Sequence, residues 1–197
     1  MIIIFDTETN GFPKNWNAPT SDIENWPRLV QIAWQQFSDD GRKIAEHCYV
    51  VKPEGFEIPK EVSDINRITT ERAHTEGLPL TYVMSTLWQA MLITDKLVAH
   101  NIAFDEKIIG AEFIRLGMQE SHDLVFRKDR ICTMKETTAF CGIPTFNGSR
   151  GLKWPKLQEL HEKLFGVGFE GAHDALVDVA ALSKCFFELK KRGIICA

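Results

Sequence analysis

The fold is decided by a short apolar run that leads into two acids, Ile2-Ile3-Ile4-Phe5-Asp6-Thr7-Glu8-Thr9. The apolar residues from Ile2 to Phe5 predict a buried strand. Residues two apart on a strand point to the same face, so Asp6 and Glu8 would hold their carboxylates side by side. Like charges that close repel each other, and a hard divalent cation such as Mg²⁺ or Mn²⁺ would relieve the repulsion. A solvated strand end is the plainer alternative, because acids are common there.

Downstream of this run, the pattern first predicts strands and then helices. Strands are expected at Leu29–Phe37 and Lys43–Val51, joined by the turn signal Ser38-Asp39-Asp40-Gly41. A short strand is predicted at Leu97–Ala99, and a strand or helix start near Arg130–Thr133. Helices are predicted at Pro59–Ile65, Leu80–Ile93, Ala103–Leu116, Pro155–Phe165 and Asp174–Arg192. This order predicts an α/β fold, in which an antiparallel meander and further strands form a mixed sheet flanked by helices.

The composition of the 197 residues is typical of one folded domain. Hydrophobic residues make up 44% and charged residues 25%, which excludes a disordered or low-complexity chain. At about 150 residues per domain, the length favours a single domain over 1–197, with an extended turn-rich loop at about 10–27. No basic segment precedes Ile2, and no apolar run approaches the ~18 residues of a membrane span. We therefore expect a cytoplasmic protein with no membrane partner.

The net charge is −4, from 23 Lys and Arg against 27 Asp and Glu. A general nucleic-acid binder is usually basic, because neutralisation of phosphates supplies most of its affinity. Taken alone, the net charge therefore argues against a nucleic-acid partner. The five cysteines have no zinc-ligand spacing, which favours reduced thiols.

Two further acids lie at the starts of predicted helices. Asp105 falls in a first helical turn directly after a short strand, where an acid gains from the helix dipole and need do nothing else. Such a strand-to-helix crossover is also where ligands bind in open sheets. Asp178 lies beside or within the apolar stripe of the last helix, so it needs a partner. A buried salt bridge and a metal ligand are the two readings. The ligand is favoured because no Lys or Arg lies one turn away on that face.

His173 precedes Asp178 by five residues. If both were helical, their side chains would point about 140° apart, so a loop that delivers His173 to the start of the helix is the better placement. A loop histidine is usually a surface residue, but near a metal-bound water it can act as a general base. Jointly, the four acids and the histidine fit two-metal-ion hydrolysis of a phosphodiester.

The residues resemble a known family in three blocks that occur in the same order, Asp6-Thr7-Glu8-Thr9, His100-Asn101-Ile102-Ala103-Phe104-Asp105 and His173-Asp174-Ala175-Leu176-Val177-Asp178. They are similar to the motifs of the DEDDh (DnaQ-like) 3′-to-5′ exonucleases of the RNase H-like superfamily. This family includes the proofreading subunit of bacterial DNA polymerase III. The resemblance extends from Ile2 to about Leu189, and it implies an RNase H-like sheet.

The resemblance implies a role for each residue of the motifs. Asp6, Glu8 and Asp178 would hold the first of two Mg²⁺ or Mn²⁺ ions. Asp6 would bridge to the second ion, where Asp105 would act directly or through water. His173 would be the general base, in the His-x-Ala-x-x-Asp setting that separates this group from relatives with a tyrosine.

Substrate contacts are also implied by the resemblance. Thr9 would meet the terminal 3′-hydroxyl, Phe12 would wedge against the terminal base, and Asn101 would contact the substrate. The sequence departs from the family in having Asn after Thr9, and in a longer loop from residue 13 to residue 27. Trp16 and Trp26 in this loop could stack on a base or fold the loop onto its own domain, and we favour the second reading.

The expected function is the removal of nucleoside monophosphates from the 3′ end of DNA, with single-stranded DNA as the expected partner and a DNA polymerase or repair complex as a further one. An RNA-trimming exonuclease or oligoribonuclease is the first alternative. A catalytically idle module that binds nucleic acid or a polymerase is the second, although such a module has no need of clustered acids. Two bound cations would offset the net charge of −4, so this charge excludes a long-footprint DNA binder but not a nuclease.

Overall fold

The computed structural model describes residues 1–145 and 151–195. Its sheet has five strands, β1 (Ile2–Thr9), β2 (Leu29–Phe37), β3 (Lys43–Val50), β4 (Lys96–Ala99) and β5 (Asp129–Cys132). Their spatial order is β3-β2-β1-β4-β5. Strand β1 pairs antiparallel with β2 and parallel with β4, while β2–β3 is antiparallel and β4–β5 is parallel. The predicted mixed sheet is therefore confirmed.

Helices cover both faces of the sheet. The five helices predicted from the sequence are present, with ends shifted by no more than two residues. Four further helices among the described residues were not predicted, because three of them have seven residues or fewer and the fourth begins with five polar residues, Gln119-Glu120-Ser121-His122-Asp123. The helices are α1 (Lys60–Asn66), α2 (Thr70–Glu76), α3 (Leu80–Leu92), α4 (Ile102–Arg115), α5 (Gln119–Arg127), α6 (Thr133–Glu136), α7 (Thr138–Cys141), α8 (Leu157–Phe165) and α9 (Ala175–Lys191).

Strand β1 is apolar on both faces because it lies in the middle of the sheet. Ile3 and Phe5 pack into the larger core, which includes residues of α3 and α4. Ile2 and Ile4 face the opposite way, into a core shared with α8 and α9. Since alternate residues share a face, the even-numbered acids that follow lie on the α9 side of the sheet.

The apolar run from Ile2 to Phe5 forms a strand as predicted, and the strand also includes Asp6 and Glu8, as their expected common face requires. The strand continues to Thr9, because its second half pairs with β2 through the register Asp6↔Ala33 and Glu8↔Gln31. On its other side, β1 pairs with β4 only from Ile2 to Ile4. The acidic half of the strand therefore has an open edge, beside which α4 begins.

The turn-rich loop after β1 is fastened to α4. Arg115 donates a hydrogen bond to the carbonyl of Trp26 at 2.7 Å, and Lys107 donates to the carbonyl of Trp16 at 2.8 Å. Trp26 is buried, and its indole N–H donates to the carbonyl of Pro19. Trp26 thus packs the loop onto the domain as expected, whereas Trp16 is half exposed. No helix in residues 1–145 and 151–195 is long and apolar enough to cross a membrane.

Candidate active site

Three of the predicted acids meet at one point. Asp6 and Glu8 on β1 and Asp178 on α9 each offer a carboxylate oxygen, and these oxygens lie within 4.8 Å of one another. Asp178 is buried, and the two strand acids are half-buried. The convergence follows from the fold, because α9 begins over the face of β1 and β2 onto which the strand acids project.

Asp178 is oriented by the backbone just before its helix. Its Oδ2 accepts a hydrogen bond from the N–H of His173 at 2.8 Å. Asp174 caps the helix, since its Oδ1 accepts from the N–H of Leu176 at 3.0 Å. The pKa of Asp178 is raised, chiefly because burial disfavours the charged form.

Asp105 lies in the first turn of α4 and is buried. Its Oδ1 accepts two hydrogen bonds from Thr7, from the backbone N–H at 3.1 Å and from the hydroxyl at 2.7 Å. Burial raises the pKa of Asp105 to about 7, although the two bonds from Thr7 oppose the rise. Asp105 is not within the 4.8 Å group of carboxylate oxygens, but it lines the same cavity.

The carboxylates of this site are not neutralised by the chain. The pKa of Asp6 is raised by burial and then by the charges of Asp105, Asp178 and Glu8. The pKa of Glu8 is raised to about 8, again by burial first and then by neighbouring carboxylates. Within the described ranges, none of these four acids forms an ion pair with Lys or Arg. Clustered, half-buried oxygens without a counter-charge are the donor set that a divalent cation takes, so the residues fit a metal.

His173 lies at the mouth of the site, on the loop before α9. It is exposed and has a left-handed backbone with φ +70°. Gly171, two residues earlier, also has a positive φ, so the chain turns sharply before the helix begins. The prediction that a loop delivers His173 to the start of the helix agrees with this placement.

Two cavities meet at the site. The acid cavity has a volume of about 690 Å³, and it is lined by the four acids, His173, Asn101 and the aromatic rings of Phe12, Phe104, Trp154 and Phe169. The adjoining cavity has a volume of about 580 Å³, and it is lined by Thr9, Gly11, Val62, Asp64, Ile65, Asn66 and Arg67. Both are also lined by Glu8, Phe12, Phe104 and His173, which therefore form the border between them.

The three predicted substrate contacts lie around these cavities. Asn101 has a left-handed backbone with φ +77° and lines the acid cavity. Phe12 is 78% exposed at the border. Thr9 lines only the adjoining cavity, where its hydroxyl donates to the carbonyl of Gly11 at 2.7 Å.

Several residues around the site were not predicted from the sequence. Thr7 holds Asp105, and its position between two acids of the first motif was the signal that could have indicated it. Trp154 is 62% exposed and lines the acid cavity. His100 ties the start of α4 to the segment before α8, through a hydrogen bond of Nε2 with the carbonyl of Pro155 at 2.9 Å. Neither the position of Trp154 nor the hydrogen bond of His100 leaves a periodic pattern in the sequence.

Comparison with known proteins identifies a family and a fold. The exonuclease family named RNase T matches residues 3–186. Escherichia coli exonuclease I in complex with a dT13 oligonucleotide has 19% sequence identity and a TM-score of 0.75, over 97% of this chain and 41% of that chain. Its zinc-bound complex with single-stranded DNA has 19% identity and a TM-score of 0.73, over 97% and 40%. The apo form has 18% identity and a TM-score of 0.73, over 96% and 42%.

The chain thus spans about two fifths of the length of exonuclease I and shares its fold over that part. No curated protein sequence matches it. The family match covers nearly the whole chain, including all three acidic motifs. The chain therefore belongs to the RNase T exonuclease family, as a DEDDh exonuclease of the RNase H-like superfamily.

Proposed function

We propose that the chain is a 3′-to-5′ exonuclease that releases nucleoside monophosphates from single-stranded DNA with two divalent cations, Mg²⁺ or Mn²⁺. The observation that carries the proposal is the convergence of Asp6, Glu8 and Asp178, with Asp105 in the same cavity. We also propose that residues 1–197 form one exonuclease domain.

The metal ligands in this proposal are the four carboxylates. Asp6, Glu8 and Asp178 would hold the first cation, and Asp6 would also serve the second, together with Asp105. Their raised pKa values support this assignment, because they mark buried oxygens that repel one another without a counter-charge. When bound, the cations would lower the pKa of the attacking water and stabilise the leaving oxygen of the sugar.

His173 is the general base in this proposal and takes the proton of the attacking water. Its position on the border of the two cavities supports the role, because His173 lines both cavities together with Glu8, and Asp178 lines one of them. Its backbone N–H donates a hydrogen bond to Asp178, so the proposed base and a proposed metal ligand are positioned together.

The two cavities suggest how a DNA strand would bind. The scissile phosphate would lie at the border, against the carboxylates. The terminal nucleoside would occupy the adjoining cavity, with its 3′-hydroxyl at Thr9 and its base against Phe12. The preceding nucleotides would run along the acid cavity past Asn101 and Trp154. Single-stranded DNA is proposed as the substrate because exonuclease I, which has this fold, is found in complex with single-stranded DNA.

A digestion assay tests the proposal. Three substrates labelled at the 5′ end would be used, single-stranded DNA, duplex DNA and RNA, each with Mg²⁺, Mn²⁺ or a chelator. We expect the single-stranded DNA to shorten one nucleotide at a time in either metal and to stay intact in the chelator. The Asp6→Asn variant, nearly equal in size, should leave every strand intact.

The outcomes separate the alternatives. Faster shortening of RNA than of DNA would indicate an RNA-trimming exonuclease. If no strand shortens in either metal, the exonuclease proposal is wrong for this chain.

A further inference from the structure

Arg67 has a backbone conformation that an arginine rarely adopts. It is the residue after α1, with φ +61° and ψ +21°, and its N–H donates to the carbonyl of Ser63 at 2.8 Å. In this left-handed region the β-carbon crowds the following carbonyl oxygen, so glycine is the residue that fits without strain. A strained residue that persists beside a functional cavity is a reason to ask what its side chain does there.

The position of Arg67 is fixed by its neighbours. The preceding residue, Asn66, is buried, and its Oδ1 accepts from the N–H of Ile68 at 3.0 Å. The carbonyl of Arg67 itself accepts from Arg72 at 3.2 Å. The backbone is therefore held on both sides, and the long side chain alone is free to move.

Arg67 lines the cavity that adjoins the acid cluster. Among the described residues that line it, Arg67 is the single arginine or lysine. Its guanidinium forms no ion pair or hydrogen bond with any residue in 1–145 or 151–195, whereas Asp64 in the same cavity is paired with Lys60. Arg67, which is exposed, thus brings an unpaired, permanently charged donor group with a planar face to the lining of this cavity.

The group that Arg67 would bind can be inferred from where the phosphate charges of a bound DNA strand would lie. This step rests on the proposed function, which puts the scissile phosphate at the acids and the terminal nucleoside in the adjoining cavity. A terminal nucleoside with a free 3′-hydroxyl carries no anionic group, and apart from the sugar oxygens its hydrogen-bond acceptors are on the base. Guanine presents O6 and N7 side by side on one edge, which is the pair of acceptors that an arginine fork matches best.

We propose that Arg67 binds the acceptor edge of the 3′-terminal base and makes the enzyme favour strands that end in guanine. The other bases offer the fork at most one acceptor on that edge, and so they bind it less well. Arg67 is a specificity-determining residue in this proposal and takes no part in the hydrolysis.

The test measures kcat/KM for release of the last nucleotide from four single strands that differ only in that nucleotide. For the wild-type chain we expect a preference for terminal guanine of about 5- to 150-fold, the range of one bidentate base contact. Hypoxanthine, which keeps O6 and N7, should be released as fast as guanine. The 7-deaza analogue, which lacks N7, should lose most of the advantage.

Variants of Arg67 complete the test. Arg67→Gly should bring terminal guanine to the level of the other bases, and Arg67→Lys should keep a small part of the preference because it has no fork. Glycine suits the left-handed backbone, so the melting temperature of this variant should not fall, and lost preference cannot be attributed to unfolding. Arg42→Ala removes an exposed arginine from the turn between β2 and β3, and it should leave the preference unchanged.

The possible failures are distinguishable. If the wild type shortens all four strands at the same rate, the role of Arg67 is wrong while the exonuclease proposal stands. A preference that survives in Arg67→Gly assigns base recognition to another group. Faster release from a strand with a 3′-phosphate would make Arg67 a site for an anionic end and overturn the base contact. If no strand shortens at all, both proposals are wrong.

Discussion

The side-chain carbonyl of Gln31 accepts a hydrogen bond at 3.0 Å from the backbone N–H of Ala175, the first residue of α9. Gln31 is buried on β2 and lies directly opposite Glu8 in the register with β1. Its amide group donates to the thiol of Cys48 on β3. The start of α9, and with it His173 and Asp178, is thereby tied to the strand next to Glu8.

Replacement of Gln31 by leucine should lower kcat more than it changes KM. The variant leaves the N–H of Ala175 buried without an acceptor, at a cost of about 1–3 kcal/mol, and the start of α9 would shift to find one. Gln31→Glu keeps an acceptor oxygen and should recover most of kcat. Cys48→Ala removes only the other bond of Gln31 and serves as the matched control.

Steady-state kinetics and melting temperature, measured together, check this prediction. A Gln31→Leu variant with the wild-type kcat would show that the bond to Ala175 does not position the site. Equal losses in the leucine and glutamate variants would show that something other than the acceptor oxygen matters.

The acidic cluster could be predicted from the sequence, but the contacts that orient it could not. The strand period of two places Asp6 and Glu8 on one face, and the apolar stripe of the last helix brings Asp178 inside. The bond between Gln31 and Ala175, in contrast, joins positions 144 residues apart, and nothing local marks either of them.

The same distinction holds elsewhere in the fold. The long helices are visible as apolar periods, whereas α2 has one buried residue, Ala73, and so has no period to detect. The left-handed conformation of Arg67 could not be predicted either, because glycine is the residue that signals such a position.

Without metal, the protein should become less stable as the pH rises towards 9. The pKa of Glu8 is about 8 in the fold, above its ordinary value of 4.5, so the folded state binds the proton more tightly than the unfolded chain. The stability that this difference supplies is complete below the unfolded pKa and is lost as the pH rises through the folded one. Asp6, whose pKa is also raised, acts in the same direction.

Thermal unfolding in a chelator at about pH 6, 7.5 and 9 tests whether the stability falls as the pH rises. Mg²⁺ should cancel the decline, because it binds the deprotonated carboxylates. Glu8→Gln should flatten the curve in the chelator. A melting temperature that rises over this range would contradict the assignment of raised pKa values to the cluster.

Substitution of His173 by alanine should reduce kcat by about 10²–10⁴-fold, which is the usual contribution of a positioned general base. The side chain is exposed, so the melting temperature should stay close to that of the wild type. The bond from its backbone N–H to Asp178 does not depend on the ring, so the metal concentration for half-maximal rate should change little. His74, exposed on α2, is the matched position, and His74→Ala should leave kcat unchanged. An unaltered kcat in His173→Ala would mean that another group takes the proton.

Replacement of Thr7 by valine should weaken metal binding at Asp105. The variant has nearly the same shape but loses the hydroxyl that donates to Asp105 at 2.7 Å, while the backbone bond remains. Because that hydroxyl lowers the pKa of Asp105, its loss should raise the pKa further and favour the protonated form. The metal concentration for half-maximal rate should rise by about 10- to 100-fold, as for other residues that orient a ligand. Thr7→Ser retains a hydroxyl and should behave like the wild type, and equal metal requirements in the valine and serine variants would count against the role.

Outside the acidic cluster, substitution of Glu112 should lower the melting temperature more than any of the other proposed substitutions. It is fully buried on α4, where its Oε1 accepts from the backbone N–H of Leu29 at 2.9 Å and pairs with Arg28 and Arg115, each at 3.0 Å. Removal of this charge leaves two arginines without their counter-ion, and a broken buried pair costs about 3–5 kcal/mol. At about 2–4 °C per kcal/mol for a chain of this size, Glu112→Ala should melt roughly 10 °C lower than the wild type.

The variant should also alter substrate binding, because Glu112 and Arg115 hold α4 against the loop that carries Phe12. At a temperature where the variant is still folded, KM for a single strand should rise while kcat changes less, since none of the four acids is touched. Glu71→Ala removes an exposed glutamate from the first turn of α2 and should affect neither quantity. A Glu112→Ala variant that melts like the wild type would show that the two arginines find other partners.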